Sequence, residues 1–331
     1  PLLGRVAEGR GSAAGEASAA AAQGAAVPEP GAEAGGGEGG LPLADHVVTL
    51  QVSRRFRPNS GIGRLAAAIN AGDREGALAV VRGESGSGRG DAGSSAGNGD
   101  GGASGGAAVE ADRGPAGEGE PEVIGELDGP RPAERAARAL VAAYRPLAEA
   151  QEPAEALQIL ERVRLLTATR VGPCGSIALN QAIEAQLAEE AGRDPQRRWY
   201  HGRPVLVLSN DYRAGLLNGD LGVCLADPQG RLRVWIPSTE GLRSFLPASL
   251  PEHQPAYAMT VHKSQGSEVD HAHILLPERD MPLITRELLY TAVTRARQRV
   301  TLYGPASVIA QGVARPTERM SSLAERLRGA G

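Results

Sequence analysis

The run "RVRLLTATRVGPCGSIALNQAIEAQLAEEAG" (162–192) restricts the architecture more than any other stretch of this chain. "RVRLLTATR" (162–170) has the apolar density of a buried strand, "GPCGS" is a Gly/Pro turn, and "IALNQAIEAQLAEEAG" (177–192) has helical spacing. Ahead of it, "PAERAARALVAAYRPLAEAQEPAEALQILE" (132–161) reads as helices broken near Pro146 and Pro153. Helix, strand, turn and helix in that order predict an α/β domain with a mainly parallel sheet.

The same grammar recurs. "GIGRLAAAINAGDREGALAVV" (61–81) reads as helix, with Ile62, Leu65, Ala66 and Ile69 on one face and Gly72 as a stop. "HAHILLP" (271–277) is a strand and "TRELLYTAVTRARQR" (285–299) a helix capped by Thr285. "VTLYG" (300–304) is a closing strand. Between them the pattern changes: "RPVLVLSNDY", "LGVCLADPQG", "RLRVWIP" and "SFLPASL" are short β runs separated by "NGD" (218–220) and "DPQG" (227–230). That spacing predicts a small antiparallel barrel over 204–252, inserted into the α/β domain, which then takes up 45–82, 121–203 and 253–331.

Two tracts cannot join a core. Residues 1–44 are mostly Ala/Gly/Glu-rich and 83–120 are Gly/Ser/Asp-rich, and both read as disordered low-complexity insertions. Charge follows the same partition. Residues 83–130 hold ten acidic and two basic side chains, a local −8 against −4 for the whole, so the remainder carries +4. A mildly basic folded part suits an anionic partner. Cys174 and Cys224 match no metal or redox spacing and read as inert thiols of a cytoplasmic protein. No stretch reaches the length of a membrane span, and "PLLGRVAEGRGSAAGE" lacks the order of a signal peptide.

Chemistry concentrates in three places. "SRRFRPNSGIG" (53–63) sets arginines ahead of a helix, and "LLYTAVTRARQR" (288–299) places Arg295, Arg297 and Arg299 near the end of one. Guanidinium forks at such positions suit phosphate oxygens, and equally suit plain solvation against the helix dipole. The third stretch, "TVHKSQGSEVDHAHILL" (260–276), contains Lys263, the single lysine beside 34 arginines. "GESGSGRG" (83–90) imitates a phosphate loop but lacks its lysine and its flanking strand and helix. His271 and His273 alternate on a strand without a third ligand at metal spacing, so no metal site is predicted.

Taken in order, these blocks resemble a known family. "TVHKSQGSEVDHAHILLP" followed by "RELLYTAVTRARQRVTLYG" is similar to motifs V and VI of superfamily 1 helicases, in the form found in RecD-type enzymes. "SRRFRPNSGIGRLAAAINAGD" is similar to motif IV, and "TATRVGPCGSIALN" and "RWYHGRPVLVLSNDYRAGLLNGDLG" match intervening blocks. The resemblance implies a second RecA-like motor domain of the P-loop NTPase type, carrying an SH3-like barrel insertion. It implies ATP and Mg2+ as cofactors and 5′→3′ movement on DNA, with single strands and duplex ends as substrates. It also implies work beside RecB and RecC subunits in double-strand break repair. Arg55 and Arg295 correspond to arginines that reach the γ-phosphate, while Gln265, Gly266 and Glu268 lie toward the nucleotide. Thr260 and His262 correspond to residues on the strand's phosphates, and Lys263 to a DNA phosphate contact or an acid's partner. Asn210 stands on the barrel's DNA side or as an ordinary turn residue. Arg54 stands where that family more often has an aromatic.

No phosphate-loop lysine and no paired acids of the Mg2+-binding kind are present; "LPLADHVVTL" (41–50) is the nearest candidate. The expectation is a chain that lacks the first motor domain, where the Mg2+ ligands would lie, and does not hydrolyse ATP alone. The alternatives are a stand-alone RecD-like or relaxase-associated helicase, and a non-enzymatic domain that binds single strands or docks on a partner.

Overall fold

The computed structural model describes residues 56, 59–84 and 122–317. The motif IV arginines Arg54 and Arg55, the 41–50 run and most of both low-complexity tracts lie outside the described residues.

Helix α1 (Gly61–Ala71) starts where Ser60 Oγ accepts from the Gly63 N–H, and Ile62, Leu65, Ala66 and Ile69 form its buried stripe. Gly72 ends it, at the stop the sequence predicts, and Asp73 caps a second helix, α2 (Arg74–Arg82), within the same run. After β1 (Val123–Leu127) come α3 (Pro132–Tyr144), a 3-10 turn over Arg145–Ala148, and α4 (Pro153–Arg162). Pro153 opens α4 as its first residue, where its missing N–H costs nothing. Strand β2 (Val163–Thr167) is buried at every position, and α5 (Ser176–Glu190) follows the Gly/Pro turn.

Strands β3 (Arg203–Val207), β4 (Leu221–Ala226), β5 (Leu232–Ser238), β6 (Gly241–Phe245) and β7 (His253–Pro255) form an antiparallel sheet of order β6-β5-β4-β3-β7. Among the described residues no ladder joins β6 to β7. The sheet extends to Pro255, beyond the point where α/β alternation was expected to resume, and "PAS" (247–249) is a 3-10 turn rather than strand. Then β8 (Ala258–Thr260), β9 (Val269–Leu275), α6 (Arg286–Val293), β10 (Ala296–Gly304) and α7 (Ala306–Ala314) complete a five-stranded parallel sheet, β1-β10-β9-β2-β8. One expectation fails here. The helix predicted over 285–299 stops at Val293, and Arg297 and Arg299 lie on β10, an interior strand of the sheet.

Alternation along the strands explains the layers. Leu166, Ile274 and Leu302 face a core with α1, α6 and α7, whereas Leu165, Leu275 and Tyr303 face one with α3, α4 and α5. In β4, Val223 and Leu225 join that second core, and Cys224 points into the antiparallel sheet's own core with Val205 and Val234. The two sheets also meet at a polar joint. Tyr200 donates to Glu184 Oε1 (2.7 Å) and its hydroxyl lies 2.9 Å from that of Tyr257, while Arg203 Nε donates to the same Glu184 oxygen at 3.0 Å. Arg203 opens β3 and Tyr257 just precedes β8, so this joint sets how the antiparallel sheet sits on the strand that leads into 260–268.

Candidate functional site

The stretch 260–268 begins where β8 ends. Thr260 Oγ1 accepts from the Lys263 N–H (3.4 Å) and caps a 3-10 turn over Val261–Ser264, and Ser264 Oγ donates to the Val261 carbonyl at 2.7 Å. Val261 and Ser264 are buried, which leaves His262 and Lys263 exposed. A second turn follows directly. Gln265 has φ −60° and ψ 133°, Gly266 has φ +87°, and the Ser267 N–H donates to the Ser264 carbonyl at 3.1 Å, the pattern of a type II turn. A residue without Cβ takes that φ without strain, and no atom lies within 4 Å of where a Cβ would sit on Gly266. The turn accounts for the glycine without any close approach of a nucleotide.

Strand register places the ends of this stretch. Thr167 of β2 is level with Thr260 on one side and Leu275 on the other, so Thr260 lies at the C-terminal end of the sheet. Val269 opens β9 at the opposite end. Residues 261–268 therefore carry the chain past β2 from one end of the sheet to the other. Val261 is buried in the core shared with α1 and α6, which puts the crossover on that face.

Strand β8 is an edge strand, and a side chain satisfies its outer backbone. Asn180 of α5, only 3% exposed, donates Nδ2 to the Ala258 carbonyl (2.8 Å) and accepts the Ala258 N–H on Oδ1 (3.0 Å). The sequence reading assigned Asn180 no role. The available signal was a polar residue within the apolar stripe of Leu179 and Ile183.

At the N-terminal end of β10, Arg295 is half-buried. Its Nε donates to the Thr291 carbonyl at 3.2 Å, covering one of the open carbonyls at the end of α6, and its Nη1 donates to the Ser267 carbonyl at 3.2 Å. The Arg295 carbonyl in turn accepts from the Val269 N–H at 3.0 Å. Register shifts between Ala296 and Arg299, and this irregularity accompanies the turning of Arg297 toward Glu268 (3.3 Å) and Asp270 (3.5 Å). Both partners are substantially exposed, so the pair contributes no more than about 1 kcal/mol to stability.

At the other end Lys263 Nζ donates to Asn218 Oδ1 at 2.8 Å, and the Asn218 N–H donates to Asn210 Oδ1 at 2.7 Å. Lys263 therefore meets a neutral amide of the antiparallel sheet's loop rather than an acid. Hydrogen bonds join Thr260, Lys263 and, through Asn218, Asn210 at one end, with His262 exposed on the same 3-10 turn, while Arg295 bonds to Ser267, next to Glu268, at the other. Gln265 and Gly266 are exposed on the turn between the two groups. Arg55 lies outside the described residues.

The histidine pair belongs to the sheet's opposite face. His271 and His273 stack with ring centroids 4.0 Å apart, and they bond to the hydroxyls of Thr301 (2.8 Å) and Tyr303 (2.9 Å). Burial pushes their pKa values down to about 4 and about 3, aided for His273 by its neighbour. Among the described residues no cluster of three His, Cys, Asp or Glu could hold a metal ion, and no helix is long and apolar enough to cross a membrane. Both thiols are buried, which raises Cys174 and pushes Cys224 up to about 12.

Residues 255–303, which contain the crossover and Arg295, match the model of the UvrD-like helicase C-terminal domain. The RecBCD enzyme subunit RecD of Mycobacterium tuberculosis is 36% identical over 295 residues, covering 88% of this chain and 45% of that protein. The ATP-dependent RecD2 DNA helicase of Deinococcus radiodurans is 37% identical over 169 residues, 50% of this chain and 23% of that one. A solved structure of a Bacteroides Pif1 helicase with ADP-AlF3 and single-stranded DNA aligns at 16% identity with a TM-score of 0.31, over 62% of this chain and 54% of that one. The chain spans a little under half the length of the mycobacterial relative.

Proposed function

Since this chain is a RecD homologue, we propose that it supplies the second motor domain of an ATP-dependent 5′→3′ DNA helicase, the RecD (alpha) subunit of exodeoxyribonuclease V, which repairs double-strand breaks with RecB and RecC. The observation that carries this reading is the crossover 261–268, with a strand-side group around Lys263 at one end and the Arg295 guanidinium at the other.

ATP when bound supplies the free energy of phosphoryl transfer, and the donor set here fits only its terminal phosphate. Arg295 is an obligate cation already oriented by two carbonyls, and with Arg55 it would stabilise charge spreading over the transferred phosphoryl oxygens. Gln265 and Glu268 offer an amide and a carboxylate toward the same nucleotide, and Gly266 sets the turn that presents them. Thr260, His262, Lys263 and Asn210 line the strand's sugar–phosphate path. No Mg2+ ligand is proposed among the described residues. The chain alone is expected to bind single strands without hydrolysing ATP.

The test is DNA-stimulated ATP turnover by the full-length gene product with RecB and RecC. Arg295→Ala is expected to reduce it by about 10³-fold or more, as loss of an arginine finger does, and to leave single-strand affinity within a few-fold of the wild type. Unchanged turnover in that variant overturns the assignment. The similarity to RecD2 supports a second reading, a stand-alone helicase, which predicts full turnover without RecB or RecC.

A further inference from the structure

The connection between β3 and β4, residues 208–220, is held by more polar bonds than a surface loop of its length requires. Asp211 and Leu216 pair backbone to backbone in both directions, at 2.8 and 2.9 Å. Asp211 Oδ1 accepts from the N–H groups of Arg213 and Ala214 at 3.0 Å each, and Leu217 N–H donates to Asp220 Oδ2 at 2.8 Å. Leu216, 1% exposed, plugs the loop into the antiparallel sheet's core. What this scaffold presents is Tyr212. The residue is 80% exposed, and its hydroxyl accepts from Asn210 Nδ2 at 2.9 Å. Packing does not explain an aromatic so far out of the core. The hydrogen bond anchors its edge and leaves its faces to solvent.

Tyr212 is also wired to the crossover. Lys263 donates to Asn218, Asn218 to Asn210, and Asn210 to Tyr212, so four residues form one continuous run of hydrogen bonds. A cation at one end and an open aromatic face at the other reproduce the two elements of sequence-tolerant single-strand binding, a phosphate contact and a stacking surface. The geometry points to Tyr212 as a stacking platform for one unpaired base of a single strand, positioned by Asn210 and Asn218 relative to Lys263. This rests on the single-strand reading given above. Preorganisation by the loop lowers the ordering cost of the stacked state, and every base offers a π-face, so the platform serves translocation along any sequence.

Fluorescence anisotropy with a labelled oligothymidylate, and with an abasic strand of the same length, tests it on the full chain. Tyr212→Ala is expected to weaken oligothymidylate binding about 10-fold and to leave abasic-strand binding unchanged. Tyr212→Phe, which keeps the ring and loses the bond to Asn210, is expected to stay within about three-fold of the wild type. Equal affinities of the wild type and Tyr212→Ala for oligothymidylate overturn the platform, and so does an equal loss on both strands. A wild type that binds neither strand sinks the single-strand reading itself, and the platform with it.

Discussion

Asn180 grips Ala258 in both directions, donating to its carbonyl at 2.8 Å and accepting its N–H at 3.0 Å, as a neighbouring strand would. Ala258 is fully buried, so no water replaces these bonds when the amide is removed. Asn180→Ala leaves a buried donor and acceptor unpaired and is expected to cost about 3 kcal/mol. In a folded region of this size that lowers the thermal midpoint by roughly 6–12 °C. Asn180→Asp loses the donor and sets a carboxylate against the Ala258 carbonyl, so its midpoint should fall at least as far. A melting curve of Asn180→Ala that overlays the wild type refutes this account of the sheet edge.

The stacked histidines predict an acid-side loss of stability. Burial holds both neutral in the folded chain, with pKa values near 4 for His271 and near 3 for His273, whereas the unfolded chain takes up those protons below about pH 6.5. The unfolded state therefore binds more protons between those limits, and stability rises with pH across that window. It is complete above about pH 6.5 and drains away as the pH falls toward 4 and then 3. Urea midpoints taken from pH 7 to pH 4.5 should decline, and His273→Gln should decline less steeply than the wild type. Parallel profiles would remove the histidines as the cause.

Two glycines with similar φ should respond differently to a methyl group. Gly202 has φ +83°, and a Cβ there would lie 2.5 Å from the Leu147 carbonyl oxygen, in the 3-10 turn that packs under the start of β3. Gly266 has φ +87° and open space around it. Gly266→Ala bears only the left-handed conformation, about 1 kcal/mol. Gly202→Ala adds a backbone collision and should cost about 2 kcal/mol or more. Chemical denaturation of the two variants side by side checks the order, and a reversed order contradicts the placement of Gly202 against Leu147.

Much of this architecture is legible in the sequence where local patterning decides it. The apolar runs of β2 and β9, the Thr285 cap and the Gly72 stop of α1 all follow from neighbours within a few residues. Errors fall where a distant partner decides. "RARQR" continues the polar side of a helical pattern, yet Ala296 to Arg299 pair with β9 and break register there. Strands β7 and β8 have three residues each, too few for a period, and exist through pairing with β3 and β2. The motif residues were identifiable by resemblance. What holds them was not: Lys263 finds Asn218 45 residues away, Asn180 finds Ala258 78 residues away, and Tyr212 carries no signal apart from its exposure.

Parallel strands of one sheet usually need a crossover of a dozen or more residues to return from one end to the other. Between β8 and β9 eight suffice, with β2 lying between the two strands, and seven of the eight, Val261 to Ser267, are committed to two consecutive hydrogen-bonded turns. Such a tether stores almost no spare length. A displacement of the Arg295 end that left both turns intact would have nowhere to dissipate, and would arrive at Lys263 as a pull of nearly the same size. The compliance of the connection resides in its turns, and unwinding the one at Gly266 is the way to let one end move without the other.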